Sequence, residues 1–81
     1  MTRHQVSTIQ TPDGKRWYFS HHAKCRLRLY DIAFDEAVEL LMKGDVAYAH
    51  TGAHVYKVYN KRIEMVINNK LGRIITIYKR S

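Results

Sequence analysis

The strongest hydrophobic rhythm in the chain lies between Ser20 and Gly44, SHHAKCRLRLYDIAFDEAVELLMKG. Residues three and four apart share a helix face. Ala23, Leu27 and Tyr30 therefore form one apolar stripe, and Phe34, Val38 and Leu41 form a second, widened by Ala37 and Leu40. The spacing predicts a first helix from an N-cap at Ser20 to about Tyr30, and a second over about Phe34 to Lys43. Asp31 breaks the first helix and stands where it can cap the second. Asp35 and Glu36 fall in the first turn of the second helix and Lys43 in its last, as the helix dipole favours. Gly44 suits the position just past its end.

Outside this stretch the period is two. Thr11-Pro12-Asp13-Gly14 is a strong turn signal, and the aromatic run from Lys15 to Phe19 suits a strand, so residues 5–19 read as a β-hairpin. A disordered arm is expected for residues 1–4. Beyond Gly44, Val46–His50, Val55–Tyr59, Arg62–Asn68 and Arg73–Tyr78 read as strands joined by short turns, which makes successive strands antiparallel. Ile63, Met65 and Ile67 are expected on one face of the third of these, with Arg62, Glu64, Val66 and Asn68 on the other. In the last strand Ile75 and Ile77 are expected to oppose Ile74, Thr76 and Tyr78.

The elements add up to one α+β domain over residues 1–81: arm and hairpin at 1–19, two short helices at 20–44, and antiparallel strands at 45–79. The helices are expected to pack on one face of a twisted antiparallel sheet, burying Phe34, Val38 and Leu41 against Ile75 and Ile77. The open face would then carry Tyr and basic residues, a surface suited to a polynucleotide.

Charge sharpens this picture. The chain has 14 Lys+Arg against 7 Asp+Glu, a formal +7, which favours a polyanionic partner such as RNA. Solubility alone, or an acidic protein partner, accounts for the same surplus. Cys25 is the single cysteine, so no disulfide staples the fold, and a reducing cytoplasm fits. The first residues lack the apolar core of a signal peptide, and no run approaches the ~20 apolar residues that span a bilayer. A cytoplasmic protein without a membrane partner is the expectation.

The candidate chemistry is sparse. His21 and Cys25, with His50 and His54, match no established zinc spacing, so neither a metal nor another cofactor is expected. Cys25 lacks an Asn or Asp to complete a Cys-His nucleophile. RNA cleavage needs less, because the 2′-OH is itself the nucleophile. The protein has only to orient it, accept its proton, neutralise the developing charge and protonate the leaving oxygen. His22 and Arg26 share a helix face, and Lys57, Arg62, Arg73, Thr76 and Tyr78 complete a set that can supply these roles without a metal. The competing account makes the basic residues a solvated face and packs Tyr78 on a helix.

Several of these residues also carry a resemblance. His22-Ala23, Arg26, Ile32, the apolar pair Ala37-Val38 and the final Arg73-Ile74-Ile75-Thr76-Ile77-Tyr78 resemble the family catalogued as domain of unknown function 4258. Its pattern runs H-A-x-x-R, then R-G-I and an acidic helix, and ends R-I-x-T-x-Y. The likeness covers roughly residues 20–79, and the hairpin at 5–19 lies outside it. That family is similar to the RelE and BrnT toxins and to the barnase, colicin E5, colicin D and RelE ribonucleases. The resemblance implies two helices followed by an antiparallel sheet, metal-independent RNA cleavage, and a partner antitoxin or immunity protein. It assigns the catalytic positions to His22, Arg26, Thr76 and Tyr78, while Tyr30-Asp31 stands where the pattern has Arg-Gly. Lys24, Arg28, Lys57, Arg62 and Arg73 are the expected nucleic-acid contacts.

Two functions are consistent with the sequence. One is a toxin-type endoribonuclease. The other is a non-catalytic phage or mobile-element protein that binds a host protein or nucleic acid on the same scaffold, with Trp17-Tyr18-Phe19 as its interface.

Overall fold

The computed structural model describes residues 8–49 and 52–80. The arm expected at residues 1–4, the first three residues of the hairpin and His50 lie outside them. Among the described residues the order is β1 (Thr8–Gln10), β2 (Arg16–Phe19), α1 (His21–Leu29), α2 (Phe34–Lys43), β3 (Asp45–Tyr48), β4 (Val55–Tyr59), β5 (Ile63–Asn68) and β6 (Arg73–Lys79). The α+β class agrees with the pattern of periods. No helix among the described residues is long and apolar enough to cross a membrane.

The strands form one sheet in the order β1-β2-β6-β5-β4-β3. β1 and β2 pair antiparallel, as do all neighbours from β3 to β6. The expectation of a wholly antiparallel sheet fails at one seam. β2 runs parallel to β6, with Tyr18 opposite Arg73 and Phe19 opposite Ile74. Both helices and three strands separate them in sequence, so no tight turn dictates their relative direction. The hairpin is therefore part of the sheet.

Its turn forms as the residues dictate. The Gly14 N–H donates to the Thr11 carbonyl at 2.9 Å with Gly14 at φ 92°, a conformation that costs glycine little. The Asp13 carboxylate accepts from the Thr11 hydroxyl at 2.5 Å and from the Lys15 N–H at 3.1 Å. These bonds, the Thr11 one first, hold the Asp13 pKa below its ordinary value.

α1 begins where β2 leaves the sheet. The Ser20 N–H donates to the Ile74 carbonyl at 3.0 Å, and its hydroxyl donates to the Ile75 carbonyl at 2.6 Å. The same oxygen accepts from the Ala23 N–H at 3.0 Å, which caps the helix. Ser20 thus ties the start of α1 to β6, and α1 packs chiefly along that strand. At the other end Asp31 takes a left-handed φ of 55°. Its N–H donates to the Arg28 carbonyl at 3.3 Å, and the Ile32 N–H to that of Leu27 at 2.9 Å. This is a Schellman closure, with Leu27 and Ile32 both in the core. Asp31 ends α1 rather than capping α2, whose N-cap is Ala33 with no side-chain bond.

α2 is turned relative to the expected stripe. Ala37 and Leu40 are its buried residues, Val38 and Leu41 are half-buried, and Phe34 is 38% exposed while stacking on Phe19 at 5.5 Å. Gly44 explains the rotation. A Cβ there would lie 2.6 Å from the Leu40 carbonyl oxygen and 2.8 Å from Val58, so the end of α2 sits hard against β4. Gly44 has an extended φ of −69°, and its smallness is what the site uses.

β5 alternates as expected, with Ile63, Met65 and Ile67 buried. β6 does not. Val66 faces Thr76 while Ile67 faces Ile74, so β6 carries one extra residue at a bulge. The bulge puts Ile74 and Ile77, not Ile75 and Ile77, into the core. Trp17 and Phe19 are core residues too, which leaves only Tyr18 of that aromatic run exposed. The proposed Trp17-Tyr18-Phe19 interface is therefore largely interior.

Candidate nucleic-acid interface

Strand register decides which side chains share the sheet face away from Ile63, Met65 and Ile67. Cα pairing places Asp45, Tyr59, Glu64 and Tyr78 in one row across β3 to β6. Ala47, Lys57, Val66 and Thr76 form the next, and Val55, Asn68, Arg73, Tyr18 and Thr8 a third. Tyr and basic residues do occupy this face, interrupted by Glu64 and Asp45.

Arg26 extends the first row from α1. Its guanidinium carbon lies 5.7 Å from the ring centres of both Tyr78 and Tyr30, within cation–π range. Its Nη1 donates to the Tyr30 hydroxyl at 2.5 Å. Tyr30 is a polar partner of Arg26 as well as a stripe residue, a contact that its place four residues further along the helix allows. His22 is exposed one turn earlier on the same flank of α1, and no hydrogen bond among the described residues holds its ring. Arg26 thus meets Tyr78, and His22 stands one turn back on the same flank of α1.

Thr76 is different. It is 8% exposed, and its hydroxyl oxygen is sealed from solvent without a hydrogen-bond partner. Tyr78, on the same face and 44% exposed, is the hydroxyl that β6 presents.

The basic residues separate by what already occupies them. The Arg62 Nε donates to Glu36 at 2.6 Å and its Nη2 to the other carboxylate oxygen at 3.3 Å. The Glu36 hydrogen bond and charge raise the Arg62 pKa. The Arg62 side chain remains largely exposed, and an exposed pair of this kind contributes little. Arg80 lies 4.8 Å over the Tyr59 ring, and Lys15 lies 4.6 Å over that of Trp17. Lys24 and Arg28 share the opposite flank of α1 from Arg26, with the buried Ala23 and Leu27 between. Lys57 and Arg73 are exposed on the sheet face with no ion pair among the described residues.

Among the described residues no three His, Cys, Asp or Glu side chains group as a metal site requires. His54 is exposed with φ 69°. The Sγ of Cys25 lies 3.7 Å from Nε2 of His21, the helical contact their spacing predicts.

Compared with known proteins, the chain matches no family model, no curated protein and no solved structure. A functional reading therefore rests on the residues above.

Proposed function

We propose that this is a small RelE-like domain, its two helices laid across one face of the sheet, that acts on RNA as a metal-independent, toxin-type endoribonuclease. The observation that carries the reading is Arg26, held between Tyr30 and Tyr78 with the exposed His22 one turn away. In the proposed reaction His22 takes the 2′-OH proton as that oxygen bonds to phosphorus; the P–O5′ bond breaks, its oxygen takes a proton from water, and a 2′,3′-cyclic phosphate and a 5′-hydroxyl are left. Arg26 offsets the charge on the phosphoryl oxygens with its planar fork, and Tyr78 orients the ribose or base. Asp31, in a left-handed helix end that favours Gly, stands where the domain of unknown function 4258 pattern has Gly, and the missing Arg-Gly pair is a departure that favours the non-catalytic rival. An antitoxin or immunity protein is the partner that accompanies the ribonuclease reading.

One structural observation favours the rival reading, a non-catalytic phage or mobile-element protein binding a host protein or nucleic acid: the Thr76 hydroxyl is sealed.

The deciding experiment expresses the chain in a bacterium and follows growth, then incubates purified protein with RNA in the presence of a chelator. Growth arrest relieved by His22→Ala, with cleavage lowered about 10²-fold or more by His22→Ala and by Arg26→Ala, is the expected result. RNA bound but never cut leaves the binding protein. The location of action in the cytoplasm belongs to the same proposal.

A further inference from the structure

A second feature of the same sheet face lies where β2 ends. Tyr18, Phe19, Ser20, His21, Leu71 and Arg73 line an open groove of about 390 Å³. Tyr18 and Arg73 are direct partners across the parallel seam, so their side chains leave the same face on adjacent strands. Tyr18 is 50% exposed and Leu71 64% exposed, so two apolar surfaces face water here. No carboxylate lines the groove.

The electrostatics all have one sign. Arg73 has no ion pair among the described residues, unlike Arg62. α1 starts at the groove with no acidic residue in its first turn, and His21 stands there exposed. Ser20 accepts from the N–H groups of Ala23 and Lys24, while those of His21 and His22 have no acceptor among the described residues. Unsatisfied N–H groups at a helix start attract anions. Here a guanidinium, an imidazole and an aromatic ring accompany them.

We infer that the Tyr18–His21–Arg73 groove binds one nucleotide unit of a single-stranded RNA, its base against Tyr18 and Leu71 and its phosphate between Arg73 and the start of α1. The inference rests on the RNA reading above and extends it. Aromatic stacking suits single strands, because every base offers a π face. The separation also fits a strand binding both sites. Arg73 and Tyr78 are five residues apart on β6, which spans roughly 15 Å at a strand's rise per residue. A bound strand would then enter at the groove and reach His22, Arg26 and Tyr78 along α1. The groove would hold the RNA, and the chemistry would occur beyond it.

The test measures binding of a fluorescent single-stranded RNA ten-mer at several salt concentrations, with a heat-melting control for each variant. Tyr18→Ala and Arg73→Ala should each weaken binding about tenfold, whereas Tyr18→Phe should keep it, because Phe still stacks. Arg73→Ala should also reduce the magnitude of the log–log salt slope by about one. Wild-type affinity in Tyr18→Ala and Arg73→Ala, with weakening in Arg26→Ala, would overturn the groove and leave the RNA reading standing. A wild-type protein that fails to bind RNA at low salt would overturn both.

Discussion

The hydroxyl of Tyr30 accepts a hydrogen bond from Arg26 at 2.5 Å, beside the ring of Tyr78. The contact orients the guanidinium and at the same time occupies one of its donors. A phosphate is the stronger acceptor, since it carries the opposite charge and can take two parallel N–H bonds from the guanidinium, where the hydroxyl is neutral and takes one. Tyr30→Phe keeps the ring and frees the donor. It should tighten RNA binding several-fold if Arg26 grips phosphate, as measured by fluorescence anisotropy. Arg26→Ala in the same assay should weaken it. Equal affinities in all three proteins would remove Arg26 from the interface.

Asp31 closes α1 at φ 55°, a conformation that costs a non-glycine residue about 1–2 kcal/mol. Glycine avoids that cost but brings about 0.5–1 kcal/mol of extra chain entropy to the unfolded state. Asp31→Gly should therefore stabilise the domain by about 0.5–1 kcal/mol, seen as a higher urea midpoint at unchanged m. A loss of stability would mean that the Asp31 side chain makes a contribution of its own.

The rotation of α2 makes a contrast between adjacent leucines. Leu40 is 2% exposed, and Leu40→Ala should cost about 2–5 kcal/mol. Leu41 is only half-buried, so Leu41→Ala should cost distinctly less. Gly44→Ala should also destabilise, because its Cβ would lie 2.6 Å from the Leu40 carbonyl oxygen. Chemical denaturation of the three variants checks the register of the helix. The reverse ranking of the two leucines would restore the stripe of Phe34, Val38 and Leu41.

Asp13 gives the hairpin turn a pH dependence. Its pKa is lowered in the folded protein by the Thr11 hydroxyl and the Lys15 N–H. The stabilisation is therefore present above the unfolded value of about 3.9 and is lost as pH falls through the lower folded value. Asp13→Asn should be less stable than the parent at neutral pH, and the gap should narrow in acid. A gap that stays constant with pH would show that the carboxylate charge plays no part in the turn.

The local code carries much of this protein. The Ser20 cap, both helices, the turn at Thr11–Gly14 and the alternation of Ile63, Met65 and Ile67 are legible because each depends on neighbours within a few residues. His22 and Arg26 share a helix flank for the same reason. Other features depend on partners far along the chain. The bulge in β6 arises from its pairing with β5, and it exchanges Ile74 for Ile75 in the core. The turn of α2 depends on how closely Gly44 approaches Val58, and the engagement of Arg62 on a glutamate 26 residues away. The parallel seam that brings Tyr18 to Arg73 joins residues on opposite sides of both helices in sequence. Periodicity assigns a side chain to a face of its own element. Which faces meet, and which charges are already paired, is set by packing between elements, and only the tertiary structure decides it.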